Sequence, residues 1–192
     1  MPFSNPDASL LTSLEGSSTA VPLIHCRAFF FVDLSNSSRQ YQFFDLLQSN
    51  IKGVASKLYN DPRLDFQANY QCYGDDLCGG PDASTTLDQT NFNAVVDGSF
   101  DEVSGEPHPN AQTIEYAASR MGVHFGKIVT LLHTDSSQTD IDAAANQWKD
   151  QTIGYSFEGD DMSAVSIYSF DGDDQETTVQ NIVDLCKLYT NE

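Results

Sequence analysis

Apolar runs of strand length alternate along this chain with segments whose apolar residues recur every three or four positions, and this alternation constrains the fold most. The run Ala28–Val32 (AFFFV) is unbroken, which is typical of a strand buried on both faces. An amphipathic helix follows, with its apolar positions at Tyr41, Phe44, Leu47, Ile51, Val54 and Leu58. The segment Asn60-Asp61-Pro62 ends this helix, because proline cannot continue it.

The same alternation continues to the end of the chain. Leu64–Tyr73 alternates apolar and polar residues, which predicts a strand with one wet face. Further strands are predicted at Asn91–Val96, Lys127–Leu132 and Ala164–Phe170. Helices are predicted at Asn110–Met121, Ile141–Trp148 and Thr177–Tyr189, the last with Val179, Ile182, Val183 and Leu185 facing inward. Strands that alternate with helices indicate an α/β sandwich, in which helices cover both faces of a mostly parallel sheet.

One domain of ordinary size accounts for the folded part of these 192 residues. Residues 1–23 are predicted to form an extended N-terminal arm, since they are rich in small polar residues and contain Pro2, Pro6 and Pro22. We therefore expect the folded domain to occupy residues 24–192.

The charge of the chain excludes several classes of partner. Nine Lys and Arg stand against 28 Asp and Glu, so the formal net charge is −19. Nucleic acids and anionic membrane surfaces attract basic proteins, so we expect neither to be a partner. No apolar run of about 18 residues occurs, which argues against direct membrane insertion. A divalent cation or a cationic ligand is compatible with such an acidic chain.

Oxygen-rich residues follow two of the predicted strands. Asp33, Ser35 and Ser37 come directly after the first strand, and Asp135 comes after Lys127–Leu132. Ligands of parallel α/β sheets bind beyond the carboxyl ends of the strands, where the strand order reverses. Carboxylate and hydroxyl oxygens are ligands that suit Mg²⁺. In an alternative interpretation, Asp33 and Ser37 only cap the helix that follows them.

The spacing Asp33-x-Ser35-x-Ser37 after an apolar first strand, with Asp135 after a later one, resembles the von Willebrand factor A (vWA) domain family. The resemblance covers about Cys26 to Tyr189 and follows the family's order of elements. It implies a Rossmann-like three-layer α/β sandwich, with a mostly parallel sheet of about six strands and helices on both faces. It also implies a metal-ion-dependent adhesion site (MIDAS), in which these four residues hold Mg²⁺, or Mn²⁺ or Ca²⁺, and the cation binds an acidic group of a partner protein.

The second loop of the implied site departs from the family's pattern. The family places a ligand Thr shortly before the next helix, and the corresponding position here, counted back from Ile114, is His108. Histidine suits Zn²⁺ or Mn²⁺ better than Mg²⁺. In addition, Asn36-Ser37-Ser38 is a glycosylation sequon inside the first loop, and a glycan there would crowd the metal face.

The four cysteines indicate whether the protein belongs to an oxidising or a reducing compartment. The resemblance implies a bond between Cys26 and Cys186, because several extracellular vWA domains join their two ends in this way. Cys72 and Cys78 lie six positions apart, a spacing that closes a small loop. Four unrelated buried thiols are an alternative, and a zinc site is disfavoured because no CxxC pair exists. Two disulfides would indicate a secreted protein or an ectodomain fragment.

These features together predict a non-enzymatic extracellular module that engages an acidic group of a partner protein through a divalent cation. The alternative is a structural or assembly module with a degenerate metal site, which interacts with other proteins or with its own copies through its side faces or residues 1–23. A metal-assisted hydrolase with Asp33 as nucleophile is disfavoured, because phosphoryl-transfer enzymes of that kind continue Asp-x-Asp and the second position here is Ser35.

Overall fold

A computed structural model gives the fold and describes residues 21–34, 44–73, 85–101, 128–132, 153–156, 168–171 and 174–189. The elements in these ranges, in chain order, are β1 (Ile24–Asp33), α1 (Phe44–Tyr59), β2 (Leu64–Tyr73), α2 (Gln89–Asp101), β3 (Ile128–Leu132), β4 (Ile153–Ser156), β5 (Tyr168–Asp171) and α3 (Gln175–Tyr189).

The five described strands form one sheet in the order β2-β1-β3-β4-β5. Every pairing between neighbouring strands in it is parallel. The longest ladder joins β1 to β2 and runs from Ile24 opposite Leu64 to Asp33 opposite Tyr73. The strand order reverses at β1, because β2 lies on one side of it and β3 on the other. The predicted mostly parallel α/β architecture is confirmed, whereas a sheet of about six strands remains a prediction.

One face of the sheet carries the apolar core of the described part of the chain. Alternate residues of β1 and β2 point to this face, and they pack against all three described helices. The strand residues buried in this core are Cys26, Ala28, Phe30, Val32, Leu64, Ala68, Tyr70, Cys72 and Ile153. The helix residues predicted to face inward are buried there as well: Leu47, Ile51, Val54, Leu58, Val179, Ile182, Val183 and Leu185.

The opposite face of the sheet is partly polar. Phe29 and Phe31 of β1 are buried on it, so this face is covered there too. Along β2, Asp65 and Gln67 are exposed, whereas Asn69 is buried. The expectation of one wet face therefore holds only for the first half of β2. A buried amide needs partners, and the Asn69 side chain accepts a hydrogen bond from Arg27 Nε at 2.6 Å and donates one to the Thr85 carbonyl at 2.8 Å.

The prediction of a strand at Asn91–Val96 is wrong, since these residues belong to helix α2. Asp88 caps the helix, because its carboxylate accepts a hydrogen bond from the Asn91 backbone N–H at 2.8 Å. The residues of α2 that are buried recur at helical spacing: Phe92, Val96, Ser99 and Phe100. The antiparallel neighbour of β2 is instead a single bridge between Leu87 and Ala68.

Other boundaries differ in detail. β1 begins at Ile24 rather than Ala28, and β4 was not predicted at all. β3 lies within the predicted Lys127–Leu132, and β5 overlaps the predicted Ala164–Phe170 at its end. The predicted helices Asn110–Met121 and Ile141–Trp148, and residues 1–20 of the predicted arm, lie outside the described residues.

A disulfide bond joins Cys26 of β1 to Cys186 in the last turns of α3, with a Cα–Cα distance of 5.2 Å. This predicted pairing is confirmed. Cys72 is disulfide-bonded as well, and its predicted partner Cys78 lies outside the described residues. Among the helices that the structure describes, none combines the length and apolar character needed to cross a membrane.

Candidate functional site

Asp33 is the last residue of β1 and lies where the strand order reverses. We call the side of the sheet at which the parallel strands end the carboxyl edge. Asp33 is only 1% exposed, and the next residue, Leu34, is buried as well. Because reversal points of parallel sheets form crevices at this edge, Asp33 occupies the position at which a ligand of such a sheet is expected.

Helix α2 runs towards the same edge. Helix α1 connects the end of β1 to the start of β2, so it runs from the carboxyl edge towards the opposite edge. Helix α2 runs antiparallel to α1, as the contacts between them show. The Gln89 side chain donates to Ser56 Oγ at 3.0 Å, whereas Asp97 accepts from Lys52 Nζ at 2.6 Å and from Gln48 Nε2 at 2.9 Å. Helix α2 is therefore directed towards the carboxyl edge, and His108 lies later in the sequence, outside the described residues.

A buried hydrogen bond fixes this end of α2 to the sheet. The hydroxyls of Tyr70 in β2 and Ser99 in α2 lie 2.7 Å apart. Ser99 Oγ donates to the Val96 carbonyl at 2.8 Å, so the Tyr70 hydroxyl is the donor between the two. Burial raises the pKa of the Tyr70 hydroxyl, although the bond with Ser99 acts in the other direction, so this donor keeps its proton at neutral pH.

The structure describes the elements that precede the three predicted loops, namely β1, α2 and β3, but not the loops themselves. Asp33 lies at the carboxyl edge, and β3 ends beside β1 at Leu132, three residues before Asp135. Ser35, Ser37, His108 and Asp135 themselves lie outside the described residues. The predicted ligand set is therefore still a prediction. Within the ranges that the structure describes, no group of three or more His, Cys, Asp or Glu side chains is placed to hold a metal ion.

The donor set predicted at this edge suits a divalent cation. Asp33 would supply a carboxylate oxygen and the two serines hydroxyl oxygens, which are the hard ligands that Mg²⁺ and Mn²⁺ accept. A histidine on the second loop would extend the choice to Zn²⁺. A cation held in this way, with a coordination position left open, can bind a carboxylate from another molecule.

Tyr70 and Ser99 were not predicted from the sequence as residues that act at the site. Both residues fit ordinary patterns, Tyr70 as an apolar position of a strand and Ser99 as a small polar residue. Their contact follows from α2 being a helix that runs towards the carboxyl edge, and the sequence from Asn91 to Val96 was interpreted as a strand. The signal that identifies the helix is Asp88 as a cap, followed by Phe92 and Val96 at helical spacing.

Comparison with known proteins bears on the fold. No protein-family model and no curated protein sequence matches the chain. Solved structures do match it. The PilB minor pilin from Streptococcus sanguinis superposes with a TM-score of 0.61 at 8% identity, over 90% of this chain and 63% of the pilin chain. A von Willebrand factor type A protein from Catenulispora acidiphila gives a TM-score of 0.54 at 11% identity, over 84% of this chain and 42% of that one.

A third similar structure holds a metal. It is proximal thread matrix protein 1 from the mussel byssus with a zinc-occupied MIDAS motif, and its TM-score is 0.55 at 14% identity. The match covers 86% of this chain and 46% of the byssus protein, so the chain spans about half the length of that protein. Identities this low bear on architecture alone. The strand order, the parallel ladders and these superpositions together show that the chain has a vWA-like fold.

Proposed function

We propose that this protein is a non-enzymatic extracellular binding module, which holds a divalent cation at the carboxyl edge of its sheet and engages a carboxylate of a partner protein through it. The observation that carries the proposal is the position of Asp33, buried at the end of β1 where the strand order reverses. Strand β3 ends beside β1 and α2 runs towards the same edge, which supports a site built from three loops. The disulfide between Cys26 and Cys186 supports an oxidising compartment.

Asp33, Ser35, Ser37 and Asp135 would hold the cation, with His108 beside it. When bound, the cation would supply positive charge and an open coordination position to a partner's carboxylate. The net charge of −19 would otherwise repel an acidic group. The zinc found in the MIDAS motif of the byssus protein, together with His108, supports including Zn²⁺ among the candidates besides Mg²⁺, Mn²⁺ and Ca²⁺.

Thermal unfolding in EDTA and in a concentration series of each cation tests the metal site. A ligand present at about 100 times its Kd stabilises the folded state by about 2.7 kcal/mol. For a chain of this length, each kcal/mol raises the Tm by about 2–4 °C. Asp33→Asn keeps the size of the side chain and removes its charge, so it should abolish the rise.

Asp65→Asn is the matched control, because it also removes one carboxylate. Asp65 is exposed and lies near the start of β2, at the edge of the sheet opposite to Asp33. We expect it to retain the full response to cation. A Tm that no cation raises, or an equal response from the wild type and Asp33→Asn, would contradict the metal site. For the partner, binding that persists in EDTA and in Asp33→Asn would contradict the cation-mediated contact.

A second candidate function, assembly without metal, is favoured by the exposed apolar residues. Val21 is 86% exposed, Leu23 49% and Leu188 65%, and these residues flank the Cys26–Cys186 bond in sequence. Apolar groups in contact with water favour association. Light scattering in EDTA, with and without residues 1–23, distinguishes the two functions. A metal-independent oligomer that dissociates on this deletion would favour assembly.

A further inference from the structure

Two tyrosines hold the two ends of α2, and only Tyr70 holds the end that is directed towards the carboxyl edge. At the start of the helix, the Tyr59 hydroxyl donates to the Leu87 carbonyl at 2.5 Å and accepts from the Ala68 backbone N–H. At the end of the helix, the buried Tyr70 hydroxyl donates to Ser99. We call this second contact the Tyr70–Ser99 pair.

The Tyr70–Ser99 pair joins the end of α2 to β2, which is the neighbour of the strand that carries Asp33. Tyr70 lies opposite Phe30 of β1, and Phe30 is three residues before Asp33 on the same strand. Phe92 of α2 packs edge-on against both rings, with centroid distances of 4.9 Å to Phe30 and 5.9 Å to Tyr70. These contacts fix the lateral position of the helix, but ring packing alone tolerates sliding along the helix axis, whereas a buried hydrogen bond does not.

We propose that the Tyr70–Ser99 pair is a positioning pair for the cation site. It fixes the last turn of α2 relative to Asp33, and thereby fixes where the segment after Asp101 begins. In the proposed function that segment carries the second loop of the site, so its starting point bears on whether the loop and Asp33 can share one cation. Ligands of a metal site must be held to within about 0.5 Å. This inference rests on the proposed function.

Two matched substitutions test it. Tyr70→Phe and Tyr59→Phe each remove one hydroxyl from a ring that packs against Phe92, at opposite ends of α2. Binding of Mn²⁺ alone is measured by titration at a temperature where both variants are fully folded, so that a change in Kd does not report stability. Loss of a group that orients a metal ligand typically weakens binding by 10–100-fold. Because the pair acts through the backbone, we expect a smaller but clear loss for Tyr70→Phe, of roughly three- to tenfold, and less than about twofold for Tyr59→Phe.

Hydrogen exchange in EDTA gives a readout that does not need the metal. Amides of the last turn of α2 should exchange faster in Tyr70→Phe than in Tyr59→Phe. Ser99→Ala removes the pair from the other side and replaces Tyr70→Phe if that variant does not fold. The double variant should bind Mn²⁺ no more weakly than Tyr70→Phe, because both substitutions break the same bond.

Each contrary result has a distinct meaning. If the wild type binds Mn²⁺ through Asp33 and Tyr70→Phe binds it equally well, the positioning role is overturned and the proposed function stands. Equal weakening by Tyr59→Phe overturns the positioning role as well, because it would show that any loosening of α2 has the same effect. If the wild type and Asp33→Asn respond alike to Mn²⁺, the proposed function fails and this inference fails with it.

Discussion

Two glycines within helices have different surroundings, and this difference predicts that the same substitution stabilises the protein at only one of them. A Cβ at Gly53 of α1 would lie within 2.7 Å of three atoms of the Gln175 side chain, whereas a Cβ at Gly98 of α2 would have nothing within 4 Å. Gln175 also donates to Asn50 at 2.8 Å. An added methyl group at Gly53 therefore forces Gln175 away from Asn50.

We predict that Gly98→Ala stabilises the protein by about 0.5–1 kcal/mol, because alanine loses less backbone entropy in a helix than glycine. Gly53→Ala has the same gain, but it gives up the bond between Gln175 and Asn50, which contributes about 0.5–1.5 kcal/mol, and crowds the contact between α1 and α3. Denaturant unfolding of both variants checks this. Equal stabilities would show that Gln175 moves aside without cost.

Among the described residues, Asn93 carries the one buried side-chain oxygen or nitrogen that forms no hydrogen bond. Its Oδ1 has no hydrogen-bond partner, and an unsatisfied buried group costs about 1–3 kcal/mol. Asn93→Leu should therefore raise the free energy of unfolding, by about 1 kcal/mol. Gln89→Leu, in the same helix, is the control because the Gln89 amide is bonded to Ser56. We expect no gain from it, and an equal gain in both would point to helix propensity instead.

At the scale of elements, patterns that repeat within one segment predicted the structure well. The alternation over Leu64–Tyr73 gave the bounds of β2, and the spacing of Val179, Ile182 and Val183 gave the buried face of α3. The start of α2 was interpreted as a strand because Asn91–Val96 contains Phe92, Val95 and Val96, which are residue types that favour strands. Its helical state depends on the cap at Asp88 and on packing of Phe92 against the sheet. β4 has four residues and no pattern of its own.

The candidate site was predictable only in part, for a similar reason. Asp33 follows a strand that is visible in the sequence, so its place at the carboxyl edge could be predicted from the run of apolar residues before it. The approach of α2 to that edge depends on the direction of a helix, which side-chain spacing does not encode. Tyr70 and Ser99 are 29 residues apart, and nothing local in the sequence relates them.

The bridge between β2 and Leu87 is completed by a side chain. An antiparallel pair normally exchanges two backbone hydrogen bonds. Here the Leu87 N–H donates directly to the Ala68 carbonyl at 2.8 Å, and the Tyr59 hydroxyl stands between the other two groups. Tyr59→Phe should therefore cost about 1–3 kcal/mol, because it leaves the Ala68 N–H and the Leu87 carbonyl without this partner. Denaturant unfolding checks this; a loss below 0.5 kcal/mol, the low end for a hydrogen bond, would contradict the bridging role.

At the scale of the molecule, four of the five Lys and Arg side chains that the structure describes form ion pairs. These pairs join Lys52 to Asp97, Lys57 to Glu176, Arg63 to Asp61, and Lys187 to Asp184. The Arg63 guanidinium holds the pKa of Asp61 below its usual range, and Lys187 does the same for Asp184. The formal net charge of −19 already counts all nine Lys and Arg, so 19 negative charges remain in excess over the whole chain.

Self-repulsion of this excess predicts an unusual salt response. Exposed ion pairs contribute about 0–1 kcal/mol each and weaken in salt, whereas repulsion among many carboxylates destabilises the compact state. Raising NaCl from about 0.01 to about 1 M shortens the Debye length from roughly 30 to 3 Å. We expect the Tm in EDTA to rise over this range. A falling Tm would mean that the ion pairs outweigh the repulsion.

The bond between Cys26 and Cys186 spans 160 residues of sequence and turns nearly all of the domain into a closed covalent ring. Both tails of the chain leave this ring from one point, at the start of β1 and the end of α3. A protease that cuts the backbone once at any position inside the ring therefore opens it without releasing a fragment. The nicked molecule keeps its mass apart from one added water, and its two pieces separate only after reduction.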